Sequence, residues 1–450
     1  MKKQIVRAAA LLCAALLLTA SLAGCAQSTT SASSAAASSE SAAQTTEFEP
    51  RLDTQKAVTL DVSGFFGNFE ALDQVVNAFN EYYPNVTVNY EQNSGAQLVE
   101  YLNNNPYVDI VMTDDTNFRY EDWTDYYVLD KVADFSAEDI DLSAVQEEMV
   151  ESCTYNGKLA RLPIGLNLSG MVVNKTLLEK EGLSVPTNWQ EFLDVCAALK
   201  AKGYTPIQGA QTMVYADLVY NMAMTELATD DTLVAALNNG DEKAVEAMTV
   251  VMERLQTLLD EGYTDPAVNA EYPDDNYDGA ILKFFEGDVP FWVCNTEKYS
   301  GMKKRESKSE TYSADPFEYS FLYVPTGDNG AYEYVEPWFG FSVNKSSDNY
   351  DYAVEFMRFM AREEQMDTLA SVKGIPSAAK ASTDARYDAV RNTEKAEKRC
   401  VNTGSVLNHM KDYFRNEARN LADGTDASPE QAARNYVERC AEVAAGMDAQ

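Results

Sequence analysis

Residues 58–112 read VTLDVSGFFGNFEALDQVVNAFNEYYPNVTVNYEQNSGAQLVEYLNNNPYVDIVM and decide the fold class. Three short runs of the kind that forms buried strands occupy positions 58–62, 86–90 and 108–112. Between the first two, apolar residues recur every three or four positions from Phe69 to Phe79, and Pro84 ends this segment. A second, shorter helical segment lies around residues 96–102. The alternation of strands and helices with short connections predicts a parallel sheet covered by helices, and therefore an α/β protein.

Candidate binding residues follow two of these strands. In parallel sheets, ligands bind outside the carboxyl ends of the strands. Phe65 and Phe66 come directly after the first strand, and Asp114 and Asp115 come after the third. We interpret both pairs as candidate ligand contacts. Core packing would explain the two phenylalanines equally well, and helix capping would explain the two aspartates.

The rest of the body continues the same alternation. Further strands are predicted at 159–166, 171–174, 289–294, 321–324 and 339–343. A long helix is predicted from Asp348 to just before Gly374. The remainder, from about residue 379 to the end, is mostly helical in pattern.

The composition excludes several classes of function. The 450 residues contain 36 Lys and Arg against 71 Asp and Glu, which gives a net charge of −35. Binding to a phosphate backbone or to anionic lipid through a basic face needs clustered cations, so we expect no nucleic-acid partner. His409 is the one histidine in the sequence. Metal sites built from several histidines are therefore excluded, and we expect no metal and no cofactor.

Short motifs that resemble catalytic or metal sites are incomplete. No Gly-rich phosphate loop occurs, and the SxxK pattern at Ser377 and Lys380 lacks the other motifs of a penicillin-type enzyme in the required order. Residues 274–279 resemble the start of a calcium loop that runs from Asp274 through Asp278. Its twelfth position is Phe285 instead of Glu, which favours a solvated acidic loop.

The N-terminus predicts export and lipid attachment. Lys2, Lys3 and Arg7 precede an almost wholly apolar run, as in a secretory signal peptide covering residues 1–24. The run ends in Leu22-Ala23-Gly24-Cys25, which looks like a bacterial lipobox with Cys25 as the lipid-bearing first residue of the mature chain. Residues 25–50 are rich in Ser, Thr and Ala and predict a disordered tether. We therefore expect a protein anchored by lipid on the extracytoplasmic face of the cell membrane.

The remaining cysteines carry no clear disulfide pattern. Five of them follow Cys25, and none forms a CxxC pair. We interpret them mostly as buried thiols. A disulfide between Cys400 and Cys440 stays open.

Eight segments in collinear order carry a family resemblance. They are YPNVTV at 83–88, VDIVM at 108–112, NGKLARLP at 156–163, VNKTLL at 173–178, PTNWQEF at 186–192, FEGDVPF at 285–291, WFGFSV at 338–343 and GIPS at 374–377. Together they resemble the extracellular solute-binding proteins of bacterial ABC transporters, in the carbohydrate-binding family that includes maltose-binding protein. The resemblance covers about residues 57–380.

The resemblance implies a two-lobed periplasmic-binding-protein-like fold with a hinge and a ligand cleft between the lobes. Lobe one would comprise residues 51–164 with 326–374, and lobe two would comprise 165–325 with 375–450. The hinge would lie near 163–165, and the chain would cross again near Pro325 and Gly374. The ligand contacts implied by matching positions are Phe65, Phe66, Asp114, Asp115, Asn167, Gln211, Tyr215, Asn295, Glu297 and Trp338.

The function implied by the resemblance is capture of an extracellular sugar or oligosaccharide and its delivery to an ABC permease. The protein would act as a monomer and would not be an enzyme. Two other classes stay open from the sequence: a secreted glycoside hydrolase that uses paired carboxylates, and a binding protein for a solute other than a sugar. A helper lipoprotein that binds protein partners through its acidic surface is a further alternative.

Overall fold

The computed structural model describes most of the chain after residue 46. The described residues are 47–67, 69–93, 98–118, 127–155, 157–273, 276–328, 330–382, 397–398 and 406–448. The predicted signal peptide, Cys25, nearly all of the predicted tether, and Cys400 lie outside these residues. Within them, no helix is both long and apolar enough to span a membrane.

Twelve strands are formed by the described residues. They are β1 (Val58–Gly64), β2 (Val86–Gln92), β3 (Ile110–Thr113), β4 (Thr154–Tyr155), β5 (Lys158–Leu159), β6 (Leu162–Asn174), β7 (Ile207–Gln208), β8 (Phe291–Asn295), β9 (Tyr319–Leu322), β10 (Tyr332–Glu333), β11 (Val335–Val343) and β12 (Glu397–Lys398).

The helices of the first half are α1 (Glu70–Phe79), α2 (Leu98–Asn104), α3 (Tyr127–Lys131), α4 (Glu147–Ser152), α5 (Lys175–Lys180), α6 (Trp189–Ala201), α7 (Gln211–Met213) and α8 (Tyr220–Leu227). The later ones are α9 (Leu233–Asn239), α10 (Glu242–Asp260), α11 (Pro266–Asn269), α12 (Tyr277–Phe284), α13 (Thr296–Arg305), α14 (Glu310–Ala314), α15 (Tyr350–Met360), α16 (Glu363–Lys373), α17 (Val406–Asp423) and α18 (Pro429–Asp448). Short 3₁₀ turns occupy Asp115–Phe118 and Glu306–Lys308, and the π-helix Val214–Val219 joins α7 to α8.

The predicted parallel unit is confirmed. β1 pairs in parallel with β2 on one side and with β3 on the other, and α1 and α2 connect them. β11 then adds to β3 in the antiparallel sense, and β6 adds to β11. These strands form the first sheet, which buries Leu60, Ile110 and Phe341 completely.

The long strand β6 joins this first sheet to a second one. Its early residues pair with β11 as far as Leu168, which lies opposite Val335. From Ser169 onward it pairs with β8 on one edge and β9 on the other, and β7 extends the sheet beyond β8. All 13 residues of β6 are buried. One uninterrupted strand therefore serves both sheets and is the structural link between them.

The sequence predicted two strands in this region, at 159–166 and 171–174, and that division is wrong. The residues between them, including Asn167 and Ser169, continue the same strand. Periodicity could not show this, because a strand buried on both faces reads as a mixed run without alternation. The single helix predicted from Asp348 is also two helices, α15 and α16, which are separated at Ala361 and Arg362.

Two large cores support the two sheets. In the first, α1, α15 and α16 cover β1, β3 and β11, and Phe79, Phe356 and Leu369 are buried between them. In the second, helices α6, α8, α10, α17 and α18 cover the later part of β6 and β8. The helical C-terminus predicted from the sequence forms the hairpin α17–α18, whose Tyr436 is fully buried in this second core.

The folded body begins before residue 51. Phe48 is 6% exposed and makes edge contacts with Tyr82 and Phe359 at 5.2 and 5.0 Å between ring centroids. The Arg358 guanidinium lies 4.1 Å from the Phe48 ring centroid. The last residues of the segment predicted as a tether are therefore packed against the first core.

Gly340 marks the closest approach of β11 to β6. A Cβ at this position would overlap the carbonyl oxygen of Leu162 and would lie 2.8 Å from Cγ of Arg161. The pairing register also shifts between Phe339 and Gly340. Because the obstacle is backbone, a side chain here would force the two strands apart.

We expect Gly340→Ala to destabilise the protein by about 2 kcal/mol or more, since overpacking against backbone is relieved only by moving a strand. Urea unfolding of the purified protein measures this. Gly67→Ala is the matched control, because its Cβ would meet only the Gln92 side chain at 3.4 Å. Equal unfolding midpoints for the two variants would contradict the tight β6–β11 spacing.

Candidate functional site

Several polar side chains lie close together at the point where β6 stops pairing with β11 and begins to pair with β8 and β9. Successive side chains of a strand point to opposite faces, so Asn167 and Ser169 share one face. Glu336 of β11 lies opposite Asn167 in the pairing, and Asn295 of β8 lies opposite Ser169. The end of the first sheet and the beginning of the second thus contribute polar residues to one place.

Asn167 holds the start of α13. Its Oδ1 accepts hydrogen bonds from Thr296 Oγ1 at 3.1 Å and from the Glu297 backbone N–H at 3.4 Å. Its Nδ2 donates to no other residue in the part of the chain that the structure describes, and the residue is 7% exposed. The oxygen therefore has a structural role, while the amide nitrogen carries two N–H groups that have no partner among the described residues.

The side-chain amide oxygen of Asn295 also has a structural role. As the N-cap of α13, its Oδ1 accepts from the Lys298 backbone N–H at 3.1 Å. This satisfies one of the N–H groups that a helix leaves unpaired at its first turn. The next residue but one, Glu297, is half-buried, and its carboxylate lies 3.3 Å from the Lys298 ammonium. The residues at positions 167, 295 and 297 that the sequence predicted as ligand contacts are therefore brought together.

Asp217 lies beneath this group, in the π-helix. Ser169 Oγ donates to one of its carboxylate oxygens at 2.9 Å, whereas the other oxygen is buried without a partner among the described residues. Four residues later, both polar atoms of the Asn221 side chain are also buried, and within the same part of the chain they have no partner. Buried polar groups are ordinarily hydrogen-bonded, so this pair marks an unusual place in the core.

Groups from four other elements act on Asp217. Burial raises the pKa of its carboxyl, Glu336 raises it further, and the Lys411 and Lys298 ammonium groups and the Ser169 hydrogen bond oppose the rise. Lys411 of α17 forms an ion pair with Glu336 at 2.9 Å. Burial is the largest of these effects, and the result is a raised pKa for Asp217. On the neighbouring β8, burial also raises the pKa of the Cys294 thiol well above its usual range.

An aromatic group lies beside this polar one, on the first sheet. Trp338, two residues from Glu336 along β11, is half-buried and makes edge contacts with Phe66 and Phe339 at 5.6 and 5.7 Å. Phe65 is half-buried and lies edge-on to Phe66 at 4.7 Å. Phe66 itself is 8% exposed. Phe66 thus supports Trp338 from the core, and Trp338 and Phe65 keep part of their ring surface accessible.

The other predicted contacts have different surroundings. Asp114 precedes the 3₁₀ turn that Asp115 begins, and its backbone N–H donates to Asn117 Oδ1 at 2.9 Å. Gln211 begins α7, and its side chain lies outside the described ones. Tyr215 is 5% exposed in the second core, where burial raises its pKa and Asp423 of α17 adds to the rise. The structure therefore packs Tyr215 in the second core, beside the C-terminal hairpin.

Sequence reasoning missed the buried polar residues. Asp217 and Asn221 are the polar members of an otherwise apolar helical stretch, MVYADLVYNMAM at 213–224, at a spacing of four. Such a spacing puts both on one helix face. An acid and an amide sharing the buried face of an apolar helix would have been the signal.

The described residues of the incomplete motifs take part in ordinary hydrogen bonds and ion pairs. Ser377 Oγ donates to Asp367, and Lys380 pairs with Glu147. Asp278 pairs with Arg305 and Lys308, which also holds its pKa below the usual range. Within the described residues no cluster of three or more potential metal ligands occurs, and Cys440 is a buried free thiol. The loop residues Asp274 and Asp275 lie outside the described ones.

Comparison with known proteins identifies a family. The model of the bacterial extracellular solute-binding proteins matches residues 66–367. Among curated proteins, the multiple sugar-binding protein of Streptococcus mutans is 23% identical over an alignment of 292 residues that covers 60% of this chain. The match spans 66% of that relative's length.

Solved structures share the fold. The apo form of RafE from Streptococcus pneumoniae superposes with a TM-score of 0.64 at 18% identity, covering 86% of this chain and 97% of that one. The sugar-binding protein MalE from Xanthomonas citri superposes with a TM-score of 0.67 at 14% identity, covering 86% and 98%. The predicted two-lobed α/β fold is therefore confirmed.

Asp217→Asn should raise the melting temperature at pH 7. A folded-state pKa above the unfolded value of about 3.9 means that ionisation opposes folding. This penalty is absent below the unfolded pKa and grows as the pH rises through the folded one. The advantage of the variant should therefore vanish near pH 4, as measured by thermal unfolding from pH 4 to 8.

The control for this prediction is Asp230→Asn. Lys243 and Thr232 hold the pKa of that exposed carboxyl below its usual range, so its loss should lower the melting temperature at pH 7, with the difference shrinking as the pH falls. If Asp217→Asn behaves like this control, Asp217 stabilises the fold as an ion-pair partner of Lys411, and its description as a destabilising buried acid is wrong.

Proposed function

Since the chain belongs to the bacterial extracellular solute-binding proteins, we propose that it captures an extracellular sugar or oligosaccharide between two lobes and delivers it to an ABC permease. The observation that carries the carbohydrate proposal is that the half-buried Trp338 lies two residues along β11 from Glu336, which pairs with Asn167 of β6. Sugars present C–H patches that stack on aromatic rings and hydroxyls that bind amides and carboxylates.

In the polar half of the proposed site, two side-chain amides supply the hydrogen-bond donors. Nδ2 of Asn167 and of Asn295 would donate to sugar hydroxyls, while their oxygens hold α13 in place. The Glu297 carboxylate would accept from a hydroxyl. On the opposite wall Phe65, Phe66, Asp114, Asp115 and Trp338 would complete the site, and Gln211 and Tyr215 belong to the same proposal.

We propose the lobe boundaries expected from the sequence. Lobe one is 51–164 with 326–374, and lobe two is 165–325 with 375–450. The change of partner between Leu168 and Ser169 supports a crossing within β6. Near the other two crossings, Thr326 is hydrogen-bonded to Thr225 of α8, and Gly374 ends α16 with a φ of 66° that favours glycine.

The proposed mechanism is closure of the lobes around the ligand. Residues of both lobes gain contacts with a sugar only in the closed state, so the ligand shifts the population toward that state. The permease would then recognise the closed form. The protein itself would act as a monomer and would need neither ATP nor a cofactor.

We further propose that no turnover occurs. Two partly accessible carboxylates near the proposed site are each paired with a lysine: Glu297 with Lys298, and Glu336 with Lys411. A glycoside hydrolase needs one carboxyl poised as an acid beside a second one that acts as base or nucleophile. Prolonged incubation with oligosaccharides should therefore yield no new reducing ends.

A thermal-shift panel tests the proposed ligand class. The mature protein, without residues 1–24, is heated with raffinose, maltotriose, xylotriose or chitotriose. A ligand at about 100 times its Kd stabilises the folded state by about 2.7 kcal/mol, which is a shift of several degrees. We expect at least one sugar to produce such a shift. If none does while a peptide or a polyamine does, the carbohydrate proposal is wrong.

Trp338→Ala tests the proposed site with the same assay. Loss of the stacking face should abolish the sugar-induced shift. Trp189→Ala is the matched control, because Trp189 of α6 packs against Phe192 and Arg254 in the second core, away from β11. A shift that survives in Trp338→Ala would show that the site is misplaced.

We also propose that Cys25 carries the lipid that anchors the protein. The lipobox places its thiol at the cleavage point, and two acyl chains bind a bilayer stably. Cys25→Ala should release the protein from the membrane fraction or leave the precursor uncleaved, as shown by fractionation and immunoblotting. Unchanged membrane retention of a processed Cys25→Ala protein would contradict the anchor.

A further inference from the structure

A small, partly open cavity lies between the two lobe-two segments that the site draws on. Its volume is about 50 Å³. Ala210 and Met213 line it on one side and flank Gln211, while Val293 and Lys298 line it on the other and flank Asn295. The cavity is therefore lined by residues close in the chain to two of the proposed ligand contacts, Gln211 and Asn295.

The walls of the cavity are mostly apolar. Pro273, Ala280, Ile281 and Trp292 complete the lining, and the two alanines leave the space that larger residues would fill. Trp292 is held in place by an edge contact with Tyr272 at 6.1 Å. A sugar hydroxyl placed here would lose its hydrogen bonds to water, whereas an apolar group would gain from burial.

One charged side chain places a hydrogen-bond donor among the otherwise apolar walls of the cavity. Among the residues that the structure describes around the cavity, Lys298 is the cation, and its ammonium lies beside the Glu297 carboxylate at 3.3 Å. The stem of a lysine packs as an apolar wall while its ammonium donates hydrogen bonds. A group that suits this pocket has an apolar end for the walls and an oxygen acceptor for the ammonium.

We propose that the cavity binds the acetyl group of an acetylated sugar, with the methyl group against Trp292 and Ala280 and the acyl oxygen accepting from Lys298. The volume has room for about three or four water-sized groups, which is the size of an acetamido substituent. This inference rests on the proposed function and names its substrate class. A sugar with only hydroxyls would bind with this pocket unfilled.

Calorimetric titration tests the preference with matched ligands. Chitotriose and cellotriose share their backbone and differ in the acetamido groups, and acetylated xylotriose compared with xylotriose tests an O-acetyl group. Burying a methyl group and adding one hydrogen bond should tighten binding roughly tenfold or more for an acetylated member. A preference within the first pair would show that the pocket takes an N-linked acetyl group, and a preference within the second pair would show that it takes an O-linked one.

Two variants locate the preference in this cavity. Ala280→Leu fills the space and should bring the ratio of the two dissociation constants close to one. Lys298→Met keeps the stem but removes the donor, and should reduce the ratio severalfold. Lys304→Met is the matched control, because Lys304 is an exposed residue of the same helix, α13. Should Ala280→Leu fail to fold, Lys298→Met alone still decides the outcome.

The outcomes separate this inference from the proposed function. If sugars bind but acetylated and unacetylated members bind equally, or if the preference persists in Lys298→Met and Ala280→Leu, the acetyl pocket is wrong and the sugar-binding proposal stands. If no carbohydrate binds at all, both are wrong.

Discussion

The hydrogen bonding of one strand constrains the whole body. β6 provides the backbone partner for β11 along its first half and for β8 and β9 along its second half. Every one of its residues is buried, so neither half can move without exposing backbone groups that need partners. A relative motion of the two sheets must therefore be absorbed by bending β6 near Leu168 and Ser169. Asn167 and Ser169 lie at this point, so the positions of these two polar side chains are coupled to the motion itself.

The polar cluster beside β6 is costly to bury. Two side chains with unpaired polar atoms, Asp217 and Asn221, lie in an interior that otherwise largely satisfies its polar atoms. Lys411 partly compensates through its interaction with Asp217, and it also pairs with Glu336. An apolar replacement of comparable shape would be expected to give a more stable core. Stability therefore does not explain why these two residues are polar.

Local patterns predicted the elements that depend on local physics. The spacing from Phe69 to Phe79 predicted α1, and the alternation around it predicted the parallel strands, because both reflect which face is buried. The continuity of β6 could not be predicted from its own sequence, because it depends on pairing with β11, β8 and β9, which lie far along the chain. The grouping of Asn167 with Asn295 followed from family resemblance alone. Gln211 and Tyr215 were likewise assigned to the site from family resemblance alone, and the burial of Tyr215 in the second core depends on packing against a C-terminal hairpin that is distant in the sequence.

The π-helix Val214–Val219 also has an evolutionary consequence. A π-turn accommodates one more residue than an α-turn, so a single-residue insertion can create it and a single-residue deletion can remove it. One residue corresponds to a rotation of about 100° around the helix axis. Such a deletion would leave α8 and the second core in register while rotating the side chains of α7 relative to them. A lineage could in this way change the face that α7 presents in one mutational step, without redesigning the fold that holds it.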